Sequence, residues 1–202
     1  KWKKTYPMSY SHKGLKPQYV IEEIFNLTQG DAIIATEVGQ HQMWTAQFFK
    51  FKYPRTFVSS GGLGTMGFGL PAAIGAKWGR PDKTVFNIAG DGSFEMNFHE
   101  LITAVRCNIP VITVVFKNRS LGMVRQWQDL FYDGRFSHSE LTEGPDYVKI
   151  AESCGAVGFR ITRKSQVVPT IQKAMTLDRL VVIEVEIDPE EKVLPMVPAG
   201  KP

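Results

Sequence analysis

The sequence has 202 residues, 43% hydrophobic and 22% charged, with 24 Lys and Arg against 20 Asp and Glu for a formal charge of +4. That balance excludes a disordered chain, a collagen-like repeat and a coiled coil. With Lys1, Lys3 and Lys4 gathered at one end, it also leaves no basic, aromatic-laced stripe of the kind nucleic acid requires. Cys107 and Cys154 stand alone, without a CxxC or a paired histidine, and no apolar run approaches a membrane span. Isolated thiols suit a reducing compartment, the cytoplasm or, in a eukaryote, a plastid or mitochondrion.

In chain order, residues 1–17 form a polar arm punctuated by Pro7, Gly14 and Pro17. The chain starts at Lys1 rather than Met, which reads as the interior of a longer product. Val20, Ile21, Ile24, Phe25 and Leu27 recur at helical spacing up to a stop at Gly30. Ala32–Thr36 predicts a buried strand running into a loop at Glu37-Val38-Gly39, and Phe57–Ser60 a second short strand. The glycine-rich segment Gly61–Gly67 leads into a helix over Phe68–Trp78, with Pro71 near its start. Thr84–Ala89, Val111–Phe116, Val157–Ile161 and Val181–Ile187 predict further strands. Phe98–Cys107, Leu121–Phe131, Tyr147–Cys154 and Val167–Leu177 predict helices between them. Strands alternating with helices define an α/β fold, a doubly wound, mostly parallel sheet with helices on both faces. It occupies residues 18–188, and a proline-marked tail covers 189–202.

In such a sheet ligands bind beyond the carboxyl ends of the strands. Gly90-Asp91-Gly92-Ser93 follows one strand and Lys117-Asn118-Arg119-Ser120 the next, so a βαβ unit brings Asp91 and Asn118 to one edge. A carboxylate and an amide oxygen are hard ligands suited to Mg²⁺, which takes its remaining positions from phosphate and water. The glycines beside Asp91 permit close approach, and the amides of Gly92 and Ser93 face an incoming anion. The combination predicts a magnesium–diphosphate clamp. A nicotinamide-binding loop is the rival, because Gly62-Leu63-Gly64-Thr65-Met66-Gly67 fits G-x-G-x-x-G. In that rival, however, the acid after the next strand is Asp91, flanked by glycines and matched by Asn118.

Gly90-Asp91-Gly92 with Asn118 resembles the thiamine diphosphate signature, and longer stretches are more selective. Thr36–Trp44, Ser59–Ala76, Asn87–Asn97 and Leu121–Phe131 are similar to the acetolactate synthase (acetohydroxyacid synthase) large-subunit family, and the likeness runs over nearly the whole chain. The resemblance implies thiamine diphosphate and Mg²⁺ as cofactors. Asp91, Asn118 and the Ser120 carbonyl would hold the metal, while Gln40, His41, Gly92 and Ser93 touch the diphosphate beside Gly90. It implies that Gly64 accepts from the aminopyrimidine and that Met66 props the cofactor in a bent shape. Met96 and Met123 would lie beside the cofactor and, with Val124 and Trp127, line the substrate entrance, Trp127 at a position linked to herbicide sensitivity. The reaction implied is decarboxylation of pyruvate and its joining to a second 2-oxo acid, in branched-chain amino acid synthesis.

The same resemblance places the activating Glu and most of the FAD site in other domains. No catalytic residue is then expected in these 202 residues, and the piece alone is expected to be inactive. A homodimer or tetramer and a regulatory small subunit are the expected partners, with no nucleic acid and no membrane. Alternatives stay open: a sister enzyme such as glyoxylate carboligase or pyruvate oxidase, or a non-catalytic binding module. On composition alone, Met66, Met96 and Met123 serve equally as core filler, and Val124, Trp127 and Phe131 as a packed helix face. Arg125 with Asp129 reads as an exposed helix pair. Two residues depart from the family pattern. Lys117 stands where Asn is usual and is expected to turn toward the helix layer, and Glu95 stands where a neutral residue is commoner.

Overall fold

The computed structural model describes residues 8–142 and 144–196. Lys1, Lys3, Lys4, Pro7 and Pro198 lie outside the described residues. Among the described residues six strands form one sheet: β1 (Ala32–Thr36), β2 (Phe57–Ser59), β3 (Thr84–Gly90), β4 (Ile112–Lys117), β5 (Val157–Ile161) and β6 (Val181–Glu186). Their spatial order is β2-β1-β3-β4-β6-β5, and every pairing is parallel. The sheet is thus wholly parallel, and its β-branched strands, buried on both faces, explain the near-continuous apolar runs.

Among the described residues eight α-helices cover it: α1 (Pro17–Thr28), α2 (Gln40–Phe48), α3 (Gly69–Gly79), the single turn α4 (Asp91–Phe94), α5 (Glu100–Arg106), α6 (Gly122–Phe131), α7 (Tyr147–Ser153) and α8 (Val167–Met175). Strand parity sorts them. Phe86, Ile88, Val114, Phe116 and Ile183 pack with Ile21 and Ile24 of α1, Trp44 of α2 and Ile171 of α8. Their neighbours Val85, Ala89, Val115 and Val182 pack on the other face with Leu70 of α3, Leu101 of α5 and Tyr147 of α7. Each fully buried Ile or Phe contributes about 1.5–3 kcal/mol, so the two apolar layers carry most of the fold's stability.

The described parts of the N-terminal arm and the C-terminal tail, residues 8–16 and 189–196, have irregular backbones yet are docked. Met8, Tyr10 and Leu15 pack against the core, and Val193 is fully buried. Lys16 pairs with Glu191, and Gln18 donates to the same carboxylate at 2.9 Å, so the two segments clasp each other. Helix α2 was not legible from spacing. Its buried positions are Gln40, His41, Trp44, Thr45 and Phe48, so polar residues occupy the inward face and erase the apolar stripe.

Candidate functional site

The chain leaves β1 toward β2 on one side and β3 toward β4 on the other. The crevice between the carboxyl ends of β1 and β3 is therefore the switch point at which open α/β sheets bind ligands. A cleft of about 370 Å³ opens there. Gln40, His41, Gly64, Met66, Gly90, Asp91, Gly92, Ser93, Asn118, Ser120, Met123, Val124 and Trp127 all line it. Of the metal, cofactor and entrance positions expected from sequence, only Met96 is not among the lining residues. It is 54% exposed, beyond α4, beside Gly67 rather than on the cleft wall.

Asp91 is the first residue of α4, and its carboxylate organises the strand ends. Oδ1 accepts the Gly92 N–H at 2.9 Å, while Oδ2 accepts the N–H groups of Asn118 at 3.1 Å and Arg119 at 2.6 Å. The Gly92 amide, expected to meet an anion, is taken by Asp91 itself, and α4 is one turn rather than a full helix. Burial pushes the Asp91 carboxyl up to about 6, against the pull of those amides. Asn118 Oδ1 accepts the Ser120 N–H at 3.1 Å, and Nδ2 donates to Gln40 Oε1 at 3.4 Å. The Asp91 carboxylate and the Asn118 side chain thus line one cleft from adjacent strand ends. Among the described residues no group of three His, Cys, Asp or Glu converges as a metal site. Such a hard, sparse donor set fits Mg²⁺ that draws further ligands from phosphate.

The first turn of α2 forms the facing wall. Gln40 Nε2 donates to Gln126 Oε1 and to the Glu191 carbonyl, both at 2.9 Å. Burial pushes the His41 imidazole down to about 3 despite a hydrogen bond with the Glu37 carbonyl, so the ring is neutral near pH 7. His41 Nε2, buried and without a protein partner, belongs to a residue on the cleft wall, as a group that contacts a polar ligand would. Glycines make the cradle. A Cβ on Gly90 would lie 2.8 Å from His41 Nδ1, and one on Gly39, where φ is +150°, 2.9 Å from His41 Cε1. These observations fit a metal-bound diphosphate.

Helix α6 carries the outer rim. Gln126 is its one buried residue. Val124 and Trp127, 43% and 49% exposed, face solvent together with Leu130 and Phe131, so packing does not account for that apolar stripe. Arg125 pairs with Glu190 and lies near Glu140, while Lys192 takes Asp129. The expected Arg125–Asp129 pair is replaced because the docked tail brings opposite charges closer. Lys117 turns away from Asp91: its Nζ donates to the Pro145 carbonyl at 3.0 Å and sits 5.1 Å from the centroid of the Tyr147 ring. Glu95 accepts the Tyr147 hydroxyl at 2.7 Å, so both unusual charges meet at the one tyrosine.

Sequence reasoning passed over Glu37, Gln126 and the tail. Glu37, completely buried, accepts the N–H of Gly67 at 2.7 Å and of Leu70 at 3.0 Å. The amides at the start of α3 are therefore engaged by an internal carboxylate, which closes the nicotinamide-loop reading of Gly62–Gly67.

Residues 37–185 match the family of thiamine pyrophosphate enzymes, C-terminal TPP binding domain, and the chain belongs to that family. The acetolactate synthase large subunit of Buchnera aphidicola subsp. Schizaphis graminum is 45% identical over 97% of this chain and 35% of its own length. Acetolactate synthase isozyme 3 large subunit of Escherichia coli K12 is 47% identical over 90% of this chain and 32% of its own. The Corynebacterium glutamicum large subunit is 48% identical over 98% of this chain and 33% of its own. The chain spans about a third of the length of the curated relatives it matches.

Proposed function

We propose that this chain is the cofactor-holding third of an acetolactate synthase large subunit. The reading is carried by 45–48% identity to such subunits along nearly the whole chain. When bound, thiamine diphosphate supplies the carbon nucleophile and electron sink for decarboxylating pyruvate and joining it to a second 2-oxo acid. The residues of this chain hold and orient. Asp91, the Asn118 amide oxygen and the Ser120 carbonyl would hold Mg²⁺, and His41 and Ser93 would reach the diphosphate, with Gln40, Gly90 and Gly92 shaping the wall around it. Gly64 and Met66 would hold the thiamine half of the cofactor in one orientation, so that binding pre-sets the approach of its groups. Met123, Val124 and Trp127 border the route by which the 2-oxo acid arrives; Met96 is left out, because it stands away from the cleft.

The activating Glu and the FAD site belong, on this reading, to the two thirds of the relatives' length that this chain does not match. The assembled enzyme is a dimer or tetramer with a regulatory small subunit. Among the described residues no helix is long and apolar enough to cross a membrane, and the proposed location is the cytoplasm, or a plastid or mitochondrion in a eukaryote. The test is made with the complete protein, supplied with pyruvate, Mg²⁺ and thiamine diphosphate. Acetolactate is expected, and Asp91→Ala should abolish metal-dependent cofactor binding. The 202-residue chain alone should bind Mg²⁺–diphosphate weakly without turnover. Absence of acetolactate from the complete protein, or turnover by the chain alone, refutes the corresponding part.

A further inference from the structure

A completely buried carboxylate sits at the junction of β1 and the glycine-rich loop, and the clamp described above makes no use of it. Glu37 Oε2 accepts from Gly67 N at 2.7 Å and Oε1 from Leu70 N at 3.0 Å, bracketing the turn that starts α3. The loop ahead of that turn is intrinsically free. Residues 61–65 are exposed and include three glycines, and Gly64 and Gly67 have φ of +63° and +84°. It therefore depends on tethers. Ser60 holds its near end through the N–H groups of Gly64 and Thr65, both at 3.0 Å, and Asn97 Nδ2 donates to the Gly67 carbonyl at 2.7 Å. Glu37 is the tether at the far end, from beneath.

The packing under the turn is close. A Cβ on Gly69 would lie 2.5 Å from both the Glu37 N and Asn87 Oδ1, so the turn lies directly on the end of β1 and on β3. Replacing the carboxylate would strand two buried N–H groups, and such orphans are costly. The same β1 extension presents its carbonyl to His41. One residue thus stands between the diphosphate wall and the loop bearing Gly64 and Met66.

We infer that Glu37 is a positioning residue: its buried carboxylate occupies the helix-start amides that a phosphate takes in other glycine-rich loops, and so fixes Gly64 and Met66 as a rigid platform for the thiamine half of the cofactor. The inference rests on the thiamine diphosphate reading, and it separates two functions within the site. The clamp of Asp91 and Asn118 holds the diphosphate, and Glu37 sets the geometry of what is attached to it.

The test compares two ligands on the complete protein at saturating Mg²⁺, by calorimetry: thiamine diphosphate and inorganic pyrophosphate. In Glu37→Gln the shape is kept, but one of the two amides meets an NH₂ group. Thiamine diphosphate affinity should fall about tenfold or more, while pyrophosphate affinity stays within about twofold. The circular dichroism that the bound cofactor acquires from its fixed twist should weaken per molecule bound. Should Glu37→Gln fail to fold, Glu37→Asp keeps the charge but shortens the reach, and is judged by the same ratio. Equal loss of both ligands, or loss of neither, overturns the positioning role. A wild-type protein that binds neither ligand overturns instead the cofactor reading on which it rests.

Discussion

Gly122 opens α6 at the point where the metal edge meets the wall formed by α2. A Cβ placed there would clash with Gln40 Oε1, well inside contact distance, and lie 2.8 Å from both Gln40 Cδ and Asn118 Nδ2. Gln40 has nowhere to go, since its Nε2 is committed to Gln126 and the Glu191 carbonyl at 2.9 Å each. Gly122→Ala must therefore either break those buried hydrogen bonds, at about 1–3 kcal/mol for each group left unpaired, or shift the start of α6, a strain of about 1–3 kcal/mol. A destabilisation of about 2–4 kcal/mol is expected, read from the urea midpoint at constant slope. Displacing Asn118 also weakens the metal edge, and about 2 kcal/mol there lowers Mg²⁺–pyrophosphate affinity roughly thirtyfold by calorimetry. Gly75→Ala is the control. It lies in the interior of α3, exposed, with open space where its Cβ would sit, and should stabilise by about 0.5–1 kcal/mol. The reasoning fails if Gly122→Ala unfolds at the wild-type midpoint and binds Mg²⁺–pyrophosphate normally.

Gln126→Leu removes the paired hydrogen bonds with Val193, at 2.8 and 3.0 Å, together with the acceptor for Gln40. It should cost about 2–4 kcal/mol and speed protease cleavage beyond Asp188, whereas an unchanged cleavage rate means the tail is held by other contacts. Trp127→Ala in the complete protein, at a half-exposed rim position, should change stability by less than about 0.5 kcal/mol while altering KM for the proposed 2-oxo acid substrate; a large drop in stability with unaltered KM reverses that assignment. Tyr147→Phe probes the charge cluster behind the site. Burial, the hydrogen bond to Glu95, and the charges of Asp91, Glu95 and Glu184 hold the hydroxyl protonated far above the usual tyrosine range. A folded-state value raised in this way contributes stability that is intact below the unfolded value of about 10 and drains away as pH rises beyond it. Wild type should thus lose denaturant resistance more steeply than Tyr147→Phe between about pH 9.5 and 11, and parallel curves refute the assignment.

The alternation of short β-branched runs with amphipathic segments was enough to set the layers, because burial on both faces of a parallel sheet forces apolar strands whatever their partners. Asp91 and Asn118 were legible for a related reason: a βαβ unit returns to the same edge, so two unusual residues at consecutive strand ends must meet. The strand order β2-β1-β3-β4-β6-β5 was not legible, and only that order makes the gap between β1 and β3 the binding crevice. Helix α2 escaped detection because its buried face is partly polar, with Gln40 and His41 where apolar residues would mark the period. Glu37 read as a loop residue, since its partners lie 30 and 33 positions away on backbone amides that have no letter in a sequence. The tail looked aperiodic because Val193 and the Glu191 carbonyl act through single contacts rather than a repeating face. Local patterning writes the secondary structure and the strand-end chemistry of this protein. Which distant groups close around that chemistry, and hold it still, is settled by long-range packing and by hydrogen bonds to the main chain, whose donors are the same in every residue but proline.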